Sequence, residues 1–397
     1  MLTSIKITNF YSIGETQELS FKVNSKDVLD ESSMIVAGEI PLNLVNCIIG
    51  HNASGKTTVL KAITFLTWFV KVSYSRKSER IPLETHKLKT DKPTKFEIEF
   101  LSDNVLYMYS LELTKEAVLG EYFGKKVKRG FTRIFEYKRT GNNWDFKSSG
   151  IEINPSDLKR FEDRKQTSVL SGLIQLEYIK DVNFFENIFS NVTRMGLVNW
   201  NPNIFATSEA LNNDEALRQD ILSFSKNIDL GINDFAFREM VLDKKNESED
   251  DEKRQLLECI HKSSSGTFSL DFIEESNGTQ HAIYLISKLI PTLRNGGLAV
   301  IDEIESGLHP YVVKKIISLF ENGNTNPNNA QLIFSTHQHW ILSDRTKTQI
   351  FIAEKNNENF ETEIFRLDEV EGVRNDENYF SKYLAGAYGG TGNINFF

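Results

Sequence analysis

Residues Leu44 to Thr58, LVNCIIGHNASGKTT, decide the fold. The run LVNCII is apolar apart from Asn46, as expected of a strand in a parallel sheet covered on both faces. It ends in Gly50, and residues 50–57 match G-x-x-x-x-G-K-T, with the helix-like TVLKAITFLTWFV following at once. A buried strand before the pattern and a helix after it are the context that a phosphate-binding loop requires. Gly50 and Gly55 permit backbone angles that turn successive N–H groups toward a β-phosphate, and the helix opening at Lys56 adds its positive end. Asn52 and Ser54 lie in the loop and join the expected ligand shell. Lys56 should reach the β- and γ-phosphates, Thr57 should ligate Mg²⁺ and Thr58 should bond on the α-phosphate side. The expected ligands are therefore ATP and Mg²⁺.

Working outward, LAVIDE at 298–303 is an apolar strand ending in two carboxylates. Alone, such a pair is usually a solvated turn; beside a phosphate loop it reads as a Walker B segment, with Asp302 in the Mg²⁺ shell and Glu303 polarising the attacking water. A third strand, LIFSTH at 332–337, ends in His337, which can hydrogen-bond a γ-phosphate. The spacing of His337 and His339 would also suit a metal pair, but no third ligand accompanies it.

The rest of the chain organises around these strands. TSIKITNF (3–10) and SFKV (20–23) read as an antiparallel edge. Residues 71–95 are polar and basic, the texture of an exposed connection. Segments between 95 and 147 alternate with period two, residues 156–226 shift to helical spacing, including Phe185, Ile188, Phe189 and Val192, and the apolar-free run 243–254 reads as a loop. Strand–helix alternation then resumes from 267. The expected fold is α/β, a P-loop NTPase head split into 1–75 and 265–397, with an antiparallel β arm at 76–147 and a helical insertion at 148–264.

Composition narrows the classes. The 397 residues carry a net charge of −9, so the molecule as a whole is not a counterion-displacing nucleic-acid binder. A local patch is needed for that, and the hairpin with Lys125, Lys126, Lys128, Arg129 and Arg133, interleaved with Tyr122, Phe123, Phe131 and Phe135, is the candidate for nucleic acid. Two cysteines give no disulfide framework or metal knuckle. The first residues lack the charge and apolar layout of a signal peptide, and no apolar run is long enough to span a membrane, so a cytoplasmic protein without a membrane partner is expected.

Together IKITNFYSI, GHNASGKTT, DEIESGLHP and FSTHQHW resemble the ABC-type ATPase heads of SMC, Rad-fifty and OLD relatives. EESNGTQHAIYLI, NNAQLIFSTH and KYLAGAYGG add a resemblance to the stand-alone ATPases of the RloA/AbiL type, which often sit in bacterial restriction or abortive-infection operons. The resemblance implies that Ser276, Gly278 and Thr279 form a signature turn contacting the γ-phosphate on a second subunit, that Ser306 begins a D-loop crossing the dimer, and that His337 is a switch histidine. It departs from the pattern in lacking Leu-Ser-Gly-Gly-Gln, in carrying Tyr11 where SMC-like heads have a basic residue, and in offering no recognisable Q-loop glutamine.

The resemblance further implies an ATP-hydrolysing homo-oligomer, a dimer around ATP or higher, controlling a co-encoded effector such as a nuclease or toxin in anti-phage defence. A non-catalytic ATP-dependent scaffold and an SMC-like DNA-repair ATPase stay open. A transporter subunit is disfavoured because 246 positions separate Lys56 from Asp302. No Toprim or HNH pattern marks a nuclease centre of its own.

Overall fold

In this computed structural model, residues 1–23, 34–37, 39–76, 78–180, 182–193, 204–242 and 252–392 are described. The chain runs β1 (Leu2–Thr8), β2 (Gln17–Ser20), β3 (Met34–Ala37), β4 (Ile40–Asn43), β5 (Val45–Ile49), α1 (Lys56–Val72), β6 (Thr94–Ser102), β7 (Val105–Leu113), β8 (Val118–Val127), β9 (Gly130–Thr140) and β10 (Asn143–Ser148). It continues through α2 (Pro155–Asp163), α3 (Val169–Gln175), β11 (Ile188–Ser190), α4 (Ile204–Asn213), α5 (Glu215–Asn227), β12 (Ile232–Leu242), β13 (Glu252–Ser263) and β14 (Gly266–Asp271). Last come α6 (Asn277–Asn295), β15 (Leu298–Ile301), α7 (Pro310–Glu321), β16 (Gln331–Ser335), β17 (Ile350–Lys355), β18 (Thr362–Arg366) and α8 (Tyr379–Leu384).

The central sheet has the order β11-β15-β16-β5-β17-β18, parallel except for β18. The central strands β5, β15 and β16 are fully buried and mostly apolar because both faces are covered, whereas the outer β18 alternates with Glu363 exposed. Ile48, Val300 and Ile333 face one core with α1, whereas Cys47, Ile49, Ala299, Ile301, Leu332 and Phe334 face another with α6 and α7. Across α1 lies a seven-stranded antiparallel sheet, β10-β9-β8-β7-β6-β1-β2, so α1 is packed between two sheets. A smaller sheet, β12-β13-β14, carries α4 and α5 against it and leads directly into α6.

This α/β architecture is the expected class, with local departures. The partner of β1 is Gln17–Ser20 rather than residues 20–23. Strands β6–β10 continue the sheet that β1 and β2 begin, so the expected arm and the N-terminal edge share one sheet. The segment expected to be helical also holds strands β11, β12 and β13. Around 185–192 the three- and four-residue apolar spacing comes from a turn followed by β11, a short strand on the edge of the parallel sheet. Of the charged run 243–254, residues 243–251 lie outside the described residues and 252–254 open β13.

The basic connection 71–95 is not simply solvated: Ile81 and Leu83 are buried, and Asn9 fastens it. The Asn9 amide donates to the carbonyls of Lys89 and Lys92 and accepts from the His86 N–H. Among the described residues, no helix is long and apolar enough to cross a membrane.

Candidate nucleotide-binding site

The loop between β5 and α1 is held by its neighbours. Gly50 has φ +152°, and a Cβ there would lie 2.2 Å from the Ala353 carbonyl oxygen of β17. Gly55 has φ +101°, and a Cβ there would lie 2.0 Å from Thr362 Oγ1 of β18. Both glycines are thus required by backbone angle and by space. Thr362 Oγ1 stands 2.9 Å from the Ser54 carbonyl and 2.8 Å from Ser12 Oγ, which in turn is 2.9 Å from Thr58 Oγ1. The His51 N–H donates to the Gly390 carbonyl, which also accepts from the Tyr383 hydroxyl, so the glycine-rich segment 386–392 braces the loop from the other side.

Lys56 Nζ donates to the carbonyls of Gly50 (2.8 Å) and His51 (3.1 Å) within the loop. Burial pulls its ammonium below the ordinary lysine range, and Asp302, Glu303 and Glu305 oppose that shift. The Ser54 hydroxyl is buried and, among the described residues, has no hydrogen-bond partner.

Asp302 and Glu303 leave the carboxyl end of β15 beside the loop. The Ser335 hydroxyl donates to Asp302 Oδ1 and accepts from the Glu303 N–H at 2.8 Å. Glu303 adopts φ +49°, a conformation unusual for a residue with a Cβ. His337 Nε2 lies 3.8 Å from Glu303 Oε1, and the His337 N–H donates to Glu305 Oε1 at 2.5 Å. Asn52, Lys56, Thr57, Asp302, Glu303 and His337 thereby line one cavity of about 540 Å³.

Gly55 and Thr58 line that cavity as well, Gly50 and Ser54 belong to the loop without lining it, and the expected signature and D-loop residues stand elsewhere. Ser276 caps α6, accepting from the Thr279 N–H at 3.1 Å, and Gly278 packs so closely on the Gly307 carbonyl that a Cβ would lie 3.1 Å from it. The Ser306 N–H donates to the Glu303 carbonyl. None of Ser276, Gly278, Thr279 and Ser306 lines the cavity of its own chain. Tyr11 lies beside it: Lys61 Nζ is 4.4 Å from its ring centroid, and with Ser12, Thr58, His86 and Phe360 it lines an adjoining cavity of about 550 Å³.

Sequence reading missed Asn191. At the end of β11, its side chain donates to the Asp302 carbonyl at 3.0 Å and accepts from the Asp302 N–H at 2.9 Å. The preceding Ser190 Oγ lies 2.8 Å from Thr64 Oγ1 of α1. The end of β11 is therefore bonded to both the loop helix and the carboxylate strand. Its only sequence signal is an amide after a short strand.

The donor set fits a magnesium triphosphate: a lysine held by loop carbonyls, a buried hydroxyl without a partner among the described residues, a helix N-terminus, and an aspartate lining the same cavity. A glycine-flanked loop between a parallel strand and a helix, facing two carboxylates at the end of a second parallel strand, defines a P-loop nucleotide-binding protein. Within that class, residues 45–343 match the family described as "AAA domain, putative AbiEii toxin, Type IV TA system". The match covers about three quarters of the chain, and the protein belongs to this family. No curated protein matches it. Among solved structures it is similar to the SMC head domain from Thermotoga maritima, at 13% identity and a TM-score of 0.41, covering 92% of this chain and 98% of that one.

Proposed function

We propose that the protein binds and hydrolyses MgATP in the 540 Å³ cavity, that two copies close around the nucleotide, and that this cycle controls a partner effector. The observation that carries the reading is the convergence of Asp302, Glu303 and His337, from two separate strands, on the loop that holds Lys56. Phosphoryl transfer to water requires mainly positioning and charge neutralisation.

On binding, the triphosphate displaces the Gly50 and His51 carbonyls as the partners of Lys56, whose ammonium then neutralises β- and γ-oxygens. Thr57 and Asp302 hold the Mg²⁺, which neutralises further phosphate charge. Asn52, Ser54, Gly55 and Thr58 complete the cradle. Glu303, oriented through its N–H by Ser335, accepts a hydrogen bond from the attacking water. His337, with its backbone fixed by Glu305, stands beside the γ-phosphate. Ser276, Gly278, Thr279 and Ser306 lie outside their own cavity, which suits them to the nucleotide of a second copy.

The family description names a toxin–antitoxin system, which supports an effector of toxin type. On this proposal that effector is a toxin or nuclease acting in bacterial anti-phage defence. Glu303→Gln tests the catalytic core. Phosphate release should fall by about 10²-fold or more while ATP binding persists, and light scattering should show an ATP-dependent dimer. Wild-type turnover in this variant would remove Glu303 from the mechanism.

A further inference from the structure

The tip of the β8–β9 hairpin carries lysines without, among the described residues, the carboxylate partners that the other lysines of its sheet have. Elsewhere in that sheet each strand lysine sits on a carboxylate: Lys6 on Glu97 (2.9 Å), Lys95 on Glu112 (3.2 Å), Lys138 on Glu136 (2.5 Å) and Lys147 on Asp145 (2.6 Å). In the other basic stretch Lys71, Lys87 and Lys89 sit on Glu186, Glu84 and Glu361, and the exposed Arg76, Arg80 and Lys92 are spread along it rather than clustered. Lys125, Lys126, Lys128 and Arg129 are all exposed and, among the described residues, make no ion pair. No acidic residue occurs between Tyr122 and Phe135. Four like charges within five residues repel one another, and an exposed turn gains nothing from them in folding, so they point to an anionic partner.

The shape of the tip selects the partner. Pairing of β8 with β7 ends at Tyr107–Lys125, and beyond it Lys126–Phe131 and Val127–Gly130 pair only with each other. The tip is thus a two-stranded ribbon free on both edges. A Cβ at Gly130 would meet nothing within 4 Å. Lys126 Nζ lies 5.1 Å from the Phe131 ring centroid, and Val127 is exposed, so apolar surface is presented among the cations. A two-stranded ribbon fits the roughly 12 Å major groove of B-form DNA, while the deep, narrow major groove of A-form RNA excludes it. The patch is smaller than the sequence suggests: Phe123 and Phe135 are core residues, and Arg133 is tied to Glu136 at 3.4 Å.

We infer that this ribbon is a binding site for double-stranded DNA, with Lys125, Lys126, Lys128 and Arg129 on phosphates flanking the major groove and Val127 and Phe131 against the groove wall. The inference is independent of nucleotide hydrolysis, because none of these residues lines the ATP cavity.

Fluorescence anisotropy with a labelled duplex DNA across a salt series tests it. Four phosphate contacts predict a slope of log K against log salt of about −3.6, which is a loss of roughly 150-fold between about 50 and about 200 mM salt. The variant Lys125→Gln/Lys126→Gln/Lys128→Gln/Arg129→Gln should lose that slope and most of the affinity, while its thermal unfolding and phosphate release stay at wild-type values. Val127→Asp should weaken binding with the four cations intact. An unchanged slope in the quadruple variant, or no binding by the wild type at about 50 mM salt, overturns the proposal. Equal affinity for duplex RNA overturns the major-groove assignment, and displacement of the DNA by polyglutamate at equal charge concentration shows an acidic-protein site instead.

Discussion

Asp302 shows how one residue depends on partners remote in the chain. Its side chain is bonded by Ser335, 33 positions away, and its main chain by Asn191, 111 positions away. Lys56 and the two carboxylates are legible in the sequence because their chemistry is written in consecutive residues. Asn191, Ser335 and Thr362 are not, because each acts on a group that only the fold brings near. Asn191→Ala would leave the buried N–H and carbonyl of Asp302 unpaired, at about 1–3 kcal/mol for each group. We expect urea denaturation to show a loss of about 2–4 kcal/mol, and the kcat for ATP to fall more than KM rises, since Asp302 loses its alignment with Mg²⁺. A variant within about 0.5 kcal/mol of wild type with normal kcat would show that Asn191 positions nothing.

Among the elements, the parallel strands β5, β15 and β16 are readable because burial on both faces leaves a mostly apolar run, and the antiparallel strands because period two persists over nine to eleven residues in β6, β7 and β9. Strand β17 carries no motif and is not marked by the sequence. Strand β11 has only three residues, too few for any period to show, and its identity comes from Ile188 pairing with Leu298. The role of β18 was equally hidden. It reaches the phosphate loop through Thr362, 308 positions from the Ser54 carbonyl that its hydroxyl approaches. Thr362→Val keeps the side-chain shape and removes that hydroxyl. Losing about 1 kcal/mol of loop preorganisation should weaken ATP binding about fivefold by calorimetry, with little change in kcat once ATP saturates. Unchanged affinity would show that the loop is held without β18.

At the scale of the whole molecule, the spacing of the motifs makes it readable that β5 and β15 are far apart in the chain yet belong to one sheet. The merging of β6–β10 with β1 and β2, and the entry of β11 into the central sheet, follow only from pairing that no local pattern encodes. The same scale holds the question of the second copy. The turn at Ser276–Thr279 does not line the cavity of its own chain, and under the proposed function it completes the site of a second copy related by the two-fold symmetry usual for dimers. Lys56→Ala disables the loop. Ser276→Asp preserves the α6 cap, since aspartate caps as well as serine, but presents a negative charge to a γ-phosphate. Each variant alone should release almost no phosphate. Mixed in equal amounts, half of the dimers would pair one of each and contain one intact composite site, so activity should return to roughly a quarter of wild type. If the mixture stays as inactive as its parts while light scattering shows the two chains associating, the signature does not act across the dimer. If Ser276→Asp alone turns over normally, the turn is only a helix cap.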